Sequence, residues 1–319
     1  MTAEMAYGAL SAKVRALYGK RLRSDDFARL AARRSEAEIL DELRQHPGWS
    51  RALALVPPGA WGYVGRVEVE RALQEELRLE YQSLAYYVPR EAPPPPRIAL
   101  HSRLDEAAAA ACTTYDQLTE AARDTIYYSA LRQLRPPRTD ELPDFTRADA
   151  VLRTAYYAHL LRIVRSQYQG RTQKVLLRAI GEQIDLLNIL HILRLKTYFP
   201  QTPREDYAGV LFPFQYRLTM DFLRRLCEAP GAEGAYELLR ESPYGDCFDE
   251  TAVDAVEEYY QRAVFRFNKR QLSAVPPSIY TAIAYLELKE LELGVLVNVI
   301  ESVKYGVPYH AEFANLVGG

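Results

Sequence analysis

AYGALSAKVRALYGKRLRSDDFARL (residues 6–30), DLLNILHILRLKTYFPQTPREDYAGV (185–210) and LELGVLVNVIESVKYGVPYHAEFANL (291–316) follow one pattern three times. Each reads as an apolar-periodic helix running to a tyrosine, Tyr18, Tyr198 or Tyr305, taken here as an anchor. A short polar loop follows, then a new helix opening on Phe27, Tyr207 or Phe313, with Leu30, Val210 or Leu316 three residues further on. A duplicated element of this kind decides the architecture before any single residue does, because stacked or symmetric copies bury one continuous core.

Outward from these corners, the first two copies keep the same order. EILDELRQHPGW (38–49) and GAYELLRESPYG (234–245) share a Leu-Arg pair with a proline close behind. Long segments rich in acidic and aromatic residues come next, at 67–89 and 252–276. The second copy reads as carrying an insertion, LFPFQYRLTMDFLRRL (211–226), between its corner and its Leu-Arg segment. Chance similarity between amphipathic helices is the alternative, since all share apolar residues at 3.6 spacing.

The 319 residues suffice for two or three units with a large core. Apolar residues make up 48%, tyrosines number 23 and glycines only 16, and no Asn-Gly-type turn occurs, which points to an all-helical chain without strands. The three cysteines and five histidines are scattered without metal-ligand spacing, which points to reduced, buried thiols and no metal or other cofactor. A net charge of −2 offers no basic field for nucleic acid. Basic residues are mostly arginine, which suits bidentate ion pairs or reflects codon composition. No signal sequence and no apolar run long enough to span a membrane are read, so membrane association is expected to go through a partner.

Along the chain, Val56-Pro57-Pro58-Gly59 punctuates the N-terminal third, and Pro93 to Pro96 reads as an extended connector. One helix is expected over 105–134, a tyrosine-lined one from Arg147, and a long buried one over 172–198. Further helices are expected over 213–228, 233–241, 253–272 and 280–305, the last with Ser278 as its N-cap.

Catalytic signatures are missing: neither phosphate-binding glycine loops nor a GxSxG elbow occurs. The acidic pairs Glu257/Glu258 and Glu290/Glu292 read as solvated helix faces, and His191, in an apolar stretch, as a core histidine with one hydrogen bond. Asp185, Asn188, Arg194 and Lys196 stand out. Asp185 and Asn188 lie one turn apart in a very apolar helix, and the basic pair falls near its negative end. They read as a structural polar network fixing helix register, with partner contact as the alternative. A buried enzyme site around Asp185, Asn188 and His191 is the rival reading.

The pattern D-x-x-N-x-L-x-x-L-R-x-K over 185–196 resembles the repeated core signature of the C subunits of prokaryotic V/A-type rotary ATPases, the counterparts of the eukaryotic d subunits. LELKELELGVLVNVIESVKYGVP (286–308), with the pair Lys289-Glu290, is similar to that family's terminal signature, and residues 6–22 to its N-terminal segment. The third copy departs from the second, with Val295 in place of Asn188 and Glu301 in place of Arg194.

The resemblance implies an all-α, non-catalytic rotor component on the cytoplasmic side of the membrane. It would have three similar helical domains, at about 1–110, 111–212 and 213–319, around a pseudo-threefold axis in a funnel. It would cap the membrane proteolipid rotor ring and receive the central shaft subunits, passing torque between them. A generic helical scaffold binding proteins in a concave face is the competing reading, although the tyrosines are too far apart and too few for a solenoid. Contacts to partners are expected in the loops after the tyrosines, at Lys20, Arg21, Arg23, Arg204 and Glu205.

Overall fold

The computed structural model describes residues 3–54, 66–88, 105–136, 143–248, 256–274, 276–309 and 311–319. The readings placed on Val56 to Gly59 and on the Pro93–Pro96 connector lie outside the described residues. Every regular element among the described residues is helical. The chain divides into two compact units, one formed by Met1–Ala92 with Gln261–Gly319, the other by Pro93–Tyr260. The division falls within the Val256–Leu272 helix.

The first unit is built around the Ile279–Tyr305 helix, which starts on a Ser278 capping box. Glycine at 306 ends it in the left-handed conformation, φ 66°, and Val307 N–H then reaches back to the Ser302 carbonyl at 3.0 Å. Against this helix pack Ala3–Tyr18, Ser24–Ala31, Glu36–Leu43, Arg66–Ala85 and Ala311–Gly318. Phe27, Leu30, Leu43, Leu296 and Val299 fill the core between them. In the second unit the Gly170–Tyr198 helix has the same central place, packed on Phe145–Gln167, Met220–Glu228 and Gly231–Arg240. Its apolar surface, Leu176, Ile184, Ile189, Ile192 and Leu193, is buried nearly all round, as the long apolar run predicts.

Three expectations differ from the structure. Residues 105–134 form not one helix but three short ones, Glu106–Ala110, Tyr115–Ala121 and Tyr128–Gln133. Asp105 and Thr114 each cap a new start with their side chains, so local hydrogen bonding breaks the helix that composition alone would continue. The helix expected from residue 213 begins at Met220, capped by Thr219, because the backbone of 212–218 bonds elsewhere. The cysteines are free thiols but half-exposed rather than buried.

Two of the three tyrosines taken as anchors are not anchors, while Tyr18 is half-buried with the Arg21 guanidinium over its ring. Tyr198 and Tyr305 are 52% and 65% exposed, whereas Phe27, Tyr207 and Phe313 are buried. The ring that fixes each corner is therefore the one after the loop, and in the second copy it sits on a 3-10 turn, Arg204–Gly209, rather than an α-helix.

Candidate functional site

One side of the Gly170–Tyr198 helix carries Asp185, Asn188, His191 and Lys196 in descending order, and the chain segment after the corner runs back along it. Asp185 and Asn188 are wholly buried. One oxygen of Asp185 accepts the N–H groups of Arg217 (2.8 Å) and Leu218 (3.1 Å) and the hydroxyl of Tyr244 (2.9 Å). Asn188 clamps Phe212 from both ends of its amide, accepting from the N–H at 2.8 Å and donating to the carbonyl at 3.3 Å. His191 Nδ1 lies 2.9 Å from the Val210 carbonyl, which selects the Nδ1–H tautomer. Backbone polar groups of an irregular segment buried against an apolar helix must be satisfied somewhere, and these side chains satisfy them.

Lys196 ends the series. Its ammonium donates to the carbonyls of Cys227 (2.9 Å) and Ala229 (2.6 Å), at the C-terminus of Met220–Glu228, where a cation suits the helix dipole. Lys196→Met is expected to destabilise this unit by about 2 kcal/mol, because charge-assisted bonds to buried carbonyls are lost, as urea unfolding will measure. Arg194 does not join this set. It is exposed and pairs with Glu257.

The electrostatics follow from burial. Burial raises the Asp185 carboxyl above its ordinary value, opposed by the N–H groups and hydroxyl it accepts. Burial, and then the Asp185 charge, raise Tyr244 in turn, so its hydroxyl stays a donor. Burial lowers His191 below 6.5. A histidine whose folded value is depressed costs stability as pH falls through 6.5, since the unfolded chain takes the proton first. Thermal unfolding between pH 7 and 5 is expected to show this loss, and His191→Gln to remove its share of the slope.

The first unit holds a buried polar group in the corresponding place, centred on Glu292. Glu292 accepts from Leu22 N–H (3.1 Å), Trp49 Nε1 (2.7 Å) and Lys289 Nζ (3.2 Å). The Lys289 ammonium lies 3.7 Å from the centre of the Trp49 ring. Gly48 makes room for this, since a Cβ there would sit 2.5 Å from the Lys20 carbonyl oxygen. Beside it, Glu76 accepts from Arg51 Nε (2.7 Å) and Ala52 N–H (2.9 Å), and Glu80 from the Tyr285 hydroxyl.

Glu292, read from sequence as part of a solvated face, is 3% exposed. The signal that finds it is the repeat itself: with Tyr305 laid on Tyr198, Glu292 falls on Asp185.

The two carboxylates grip equivalent chain. RLRSDDFARL (21–30) and RLTMDFLRRL (217–226) align without a gap, placing Leu22 on Leu218, whose N–H groups both serve a buried acid. Arg23 and Thr219 then both stand at N-caps, and Phe27 with Leu223, Leu30 with Leu226, and Leu43 with Leu239 are buried pairs. Trp49 and Tyr244 each follow the Leu-Arg-x-x-Pro segment and point a ring donor at the acid, one position out of register. The stretch read as an insertion is therefore the true counterpart of the first corner. Each unit is one module: a long helix whose buried acid latches a Leu-headed helical hairpin.

These sites bind the chain to itself and leave no approach for a substrate to Asp185. Among the described residues no cluster of His, Cys, Asp and Glu could hold a metal ion. Of the residues expected at partner contacts, Lys20, Arg23 and Glu205 are exposed. The side chain of Arg204 lies outside the described residues. Arg21 turns inward, stacked 4.3 Å over the Tyr18 ring and bonded to the carbonyls of Tyr18 and Gly319.

Residues 97–311 match the family described as ATP synthase (C/AC39) subunit. The chain is also similar to the C subunit of the A-type ATP synthase of Archaeoglobus fulgidus, with 26% identity over 194 residues. That match covers 60% of this chain and 54% of the archaeal protein, so the chain matches about half of that relative's length.

Proposed function

We propose a role for this chain from the family to which it belongs, the ATP synthase (C/AC39) subunits. It is the non-catalytic rotor piece that joins the central shaft of a V/A-type complex to the membrane proteolipid ring and passes torque between them. In this reading it sits on the cytoplasmic face of the membrane, held through the ring. In this reading similar helical domains surround a pseudo-threefold axis as a funnel that receives the shaft; the bounds expected for three of them, about 1–110, 111–212 and 213–319, differ from the two compact units, the second of which keeps Asp185 together with the hairpin it latches. No helix among the described residues is long and apolar enough to cross a membrane, which suits attachment through a partner.

The observation that carries the reading is the duplicated latched module. A torque coupler must resist shear between its helices. A buried acid bonded at once to two backbone or side-chain donors of a packed hairpin fixes register in a way that apolar contact alone does not. Lys20, Arg23 and Glu205, exposed at the turns that follow Tyr18 and Tyr198, are proposed partner contacts. Gentle detergent extraction of the tagged chain from its native membranes tests the role. Recovery of shaft, head and proteolipid subunits is expected, and recovery of the chain alone under conditions that keep such complexes whole would overturn it. Charge reversal at Lys20 and Arg23 that leaves both shaft and ring recovery unchanged would remove those two residues from the contacts.

A further inference from the structure

We infer that Glu80 is a proton-binding residue of the first unit, held as a neutral acid where the Arg66–Ala85 helix packs on Ser50–Leu53 and Ile279–Tyr305, and that its ionisation loosens this joint. Val69, Leu73, Glu76, Glu80 and Leu84 recur at three- and four-residue spacing and are all buried, so two acids stand on the core stripe of their helix. Glu76, Glu80 and Glu292 are 1%, 2% and 3% exposed. Two cations answer these three carboxylates. Arg51 binds Glu76 at 2.7 Å, and Lys289 binds Glu292 at 3.2 Å. Glu80 has no cation of its own. The Arg51 guanidinium stays 3.8 Å from it with a side chain 44% exposed, and the close partner of Glu80 is the uncharged Tyr285 hydroxyl.

No described neighbour makes up the missing charge. Ala3–Tyr18 also packs on this helix, but among the described residues it brings no cation within ion-pair distance of Glu80, and its Lys13 lies over the Tyr87 ring instead. His46, beside Lys289 and Glu292, is pushed below 6.5 by burial and so stays neutral at neutral pH. A carboxylate buried without a cation is costly, and such a group takes a proton instead. Burial raises Glu80 above its ordinary value, Lys289 and the Tyr285 bond oppose this, and Glu76 and Glu292 add to it. Burial, and then the Glu80 charge, raise Tyr285 in turn, so its hydroxyl remains the donor.

A carboxyl whose folded value is raised costs stability as pH climbs above its unfolded value, and the cost stops growing once pH passes the folded value. Loss of the proton leaves a third buried negative charge beside Glu76 and Glu292, and like charges at short range in a dry core repel the helices that carry them. The first unit therefore weakens toward alkaline pH, opposite in sense to the effect of His191 in the second. What loosens is the hold of the Ile279–Tyr305 helix on residues 49–85, to which Glu292 and Tyr285 bind it through Trp49 and Glu80.

Thermal unfolding of the full-length chain from about pH 5 to about pH 9 tests this, in a Trp61→Phe background so that the fluorescence of Trp49, bonded to Glu292, reports the joint. Glu80→Gln keeps an acceptor for Tyr285 and has no proton to lose. Its melting temperature is expected to gain on the wild type by on the order of 3 °C or more between the two ends of the range. Glu80→Leu is expected to gain in the same sense with pH, even where loss of the Tyr285 bond lowers its melting temperature throughout. Glu76→Gln, which strips Arg51 of its partner, is expected to melt below wild type at every pH. A gap between wild type and both Glu80 variants that stays constant with pH, or that moves in favour of the wild type as pH rises, overturns the inference. Either outcome leaves the rotor reading standing.

Discussion

Asp185→Ala is expected to destabilise the Pro93–Tyr260 unit by roughly 3–5 kcal/mol, on the scale of the largest single apolar truncations on the same helix. The carboxylate is fully buried and serves the N–H groups of Arg217 and Leu218 and the Tyr244 hydroxyl. Deleting it strands two buried donors and the part-buried Arg217 N–H, and each unsatisfied buried group costs about 1–3 kcal/mol. The full sum is not reached, because part of the cost of burying the acid is recovered. Asp185→Asn keeps an oxygen that can accept these bonds but as a weaker, uncharged acceptor, so it falls between wild type and alanine. Calorimetry or urea unfolding measures both. A loss under about 1 kcal/mol for Asp185→Ala would mean that the latch contributes little and that apolar packing alone holds the hairpin.

Glu292→Gln in the first unit is expected to cost roughly 3–5 kcal/mol despite its near-identical shape. The amide can still accept from Leu22 N–H and Trp49 Nε1, but it leaves the Lys289 ammonium, 3% exposed, without its carboxylate. The double variant Lys289→Met/Glu292→Gln removes that charge and is expected to recover about 2 kcal/mol or more. An additive cycle, with no recovery, would show that the Trp49 ring and nearby Glu80 already neutralise Lys289.

The helical class and the central role of the two long helices are legible in the chain, because apolar periodicity over 172–198 and 280–305 has no competing signal. The polar members Asp185, Asn188 and Lys196 are also legible as a set, since such groups inside so apolar a helix require partners. What they bond to is not, since an irregular segment such as 210–218 has no periodicity to betray its path. The repeat is visible too, but matching its first two corners through Tyr18 and Tyr198 relies on residues that the fold leaves partly or largely exposed. Buried leucines carry the true register, Leu22 with Leu218 and Leu30 with Leu226, and leucines are too common to align by eye. Glu292 is hidden for a related reason. It stands among Glu287, Glu290 and Lys289, and only the way the helix packs separates the buried Lys289 and Glu292 from the more exposed Glu287 and Glu290.

Torque transfer itself is tested most directly in the assembled complex with and without this chain. Membranes carrying the complex but lacking the chain are expected to hydrolyse ATP while failing to build an ion gradient, and addition of the purified chain to restore pumping in proportion to its binding. A gradient of normal size in its absence would contradict the rotor role.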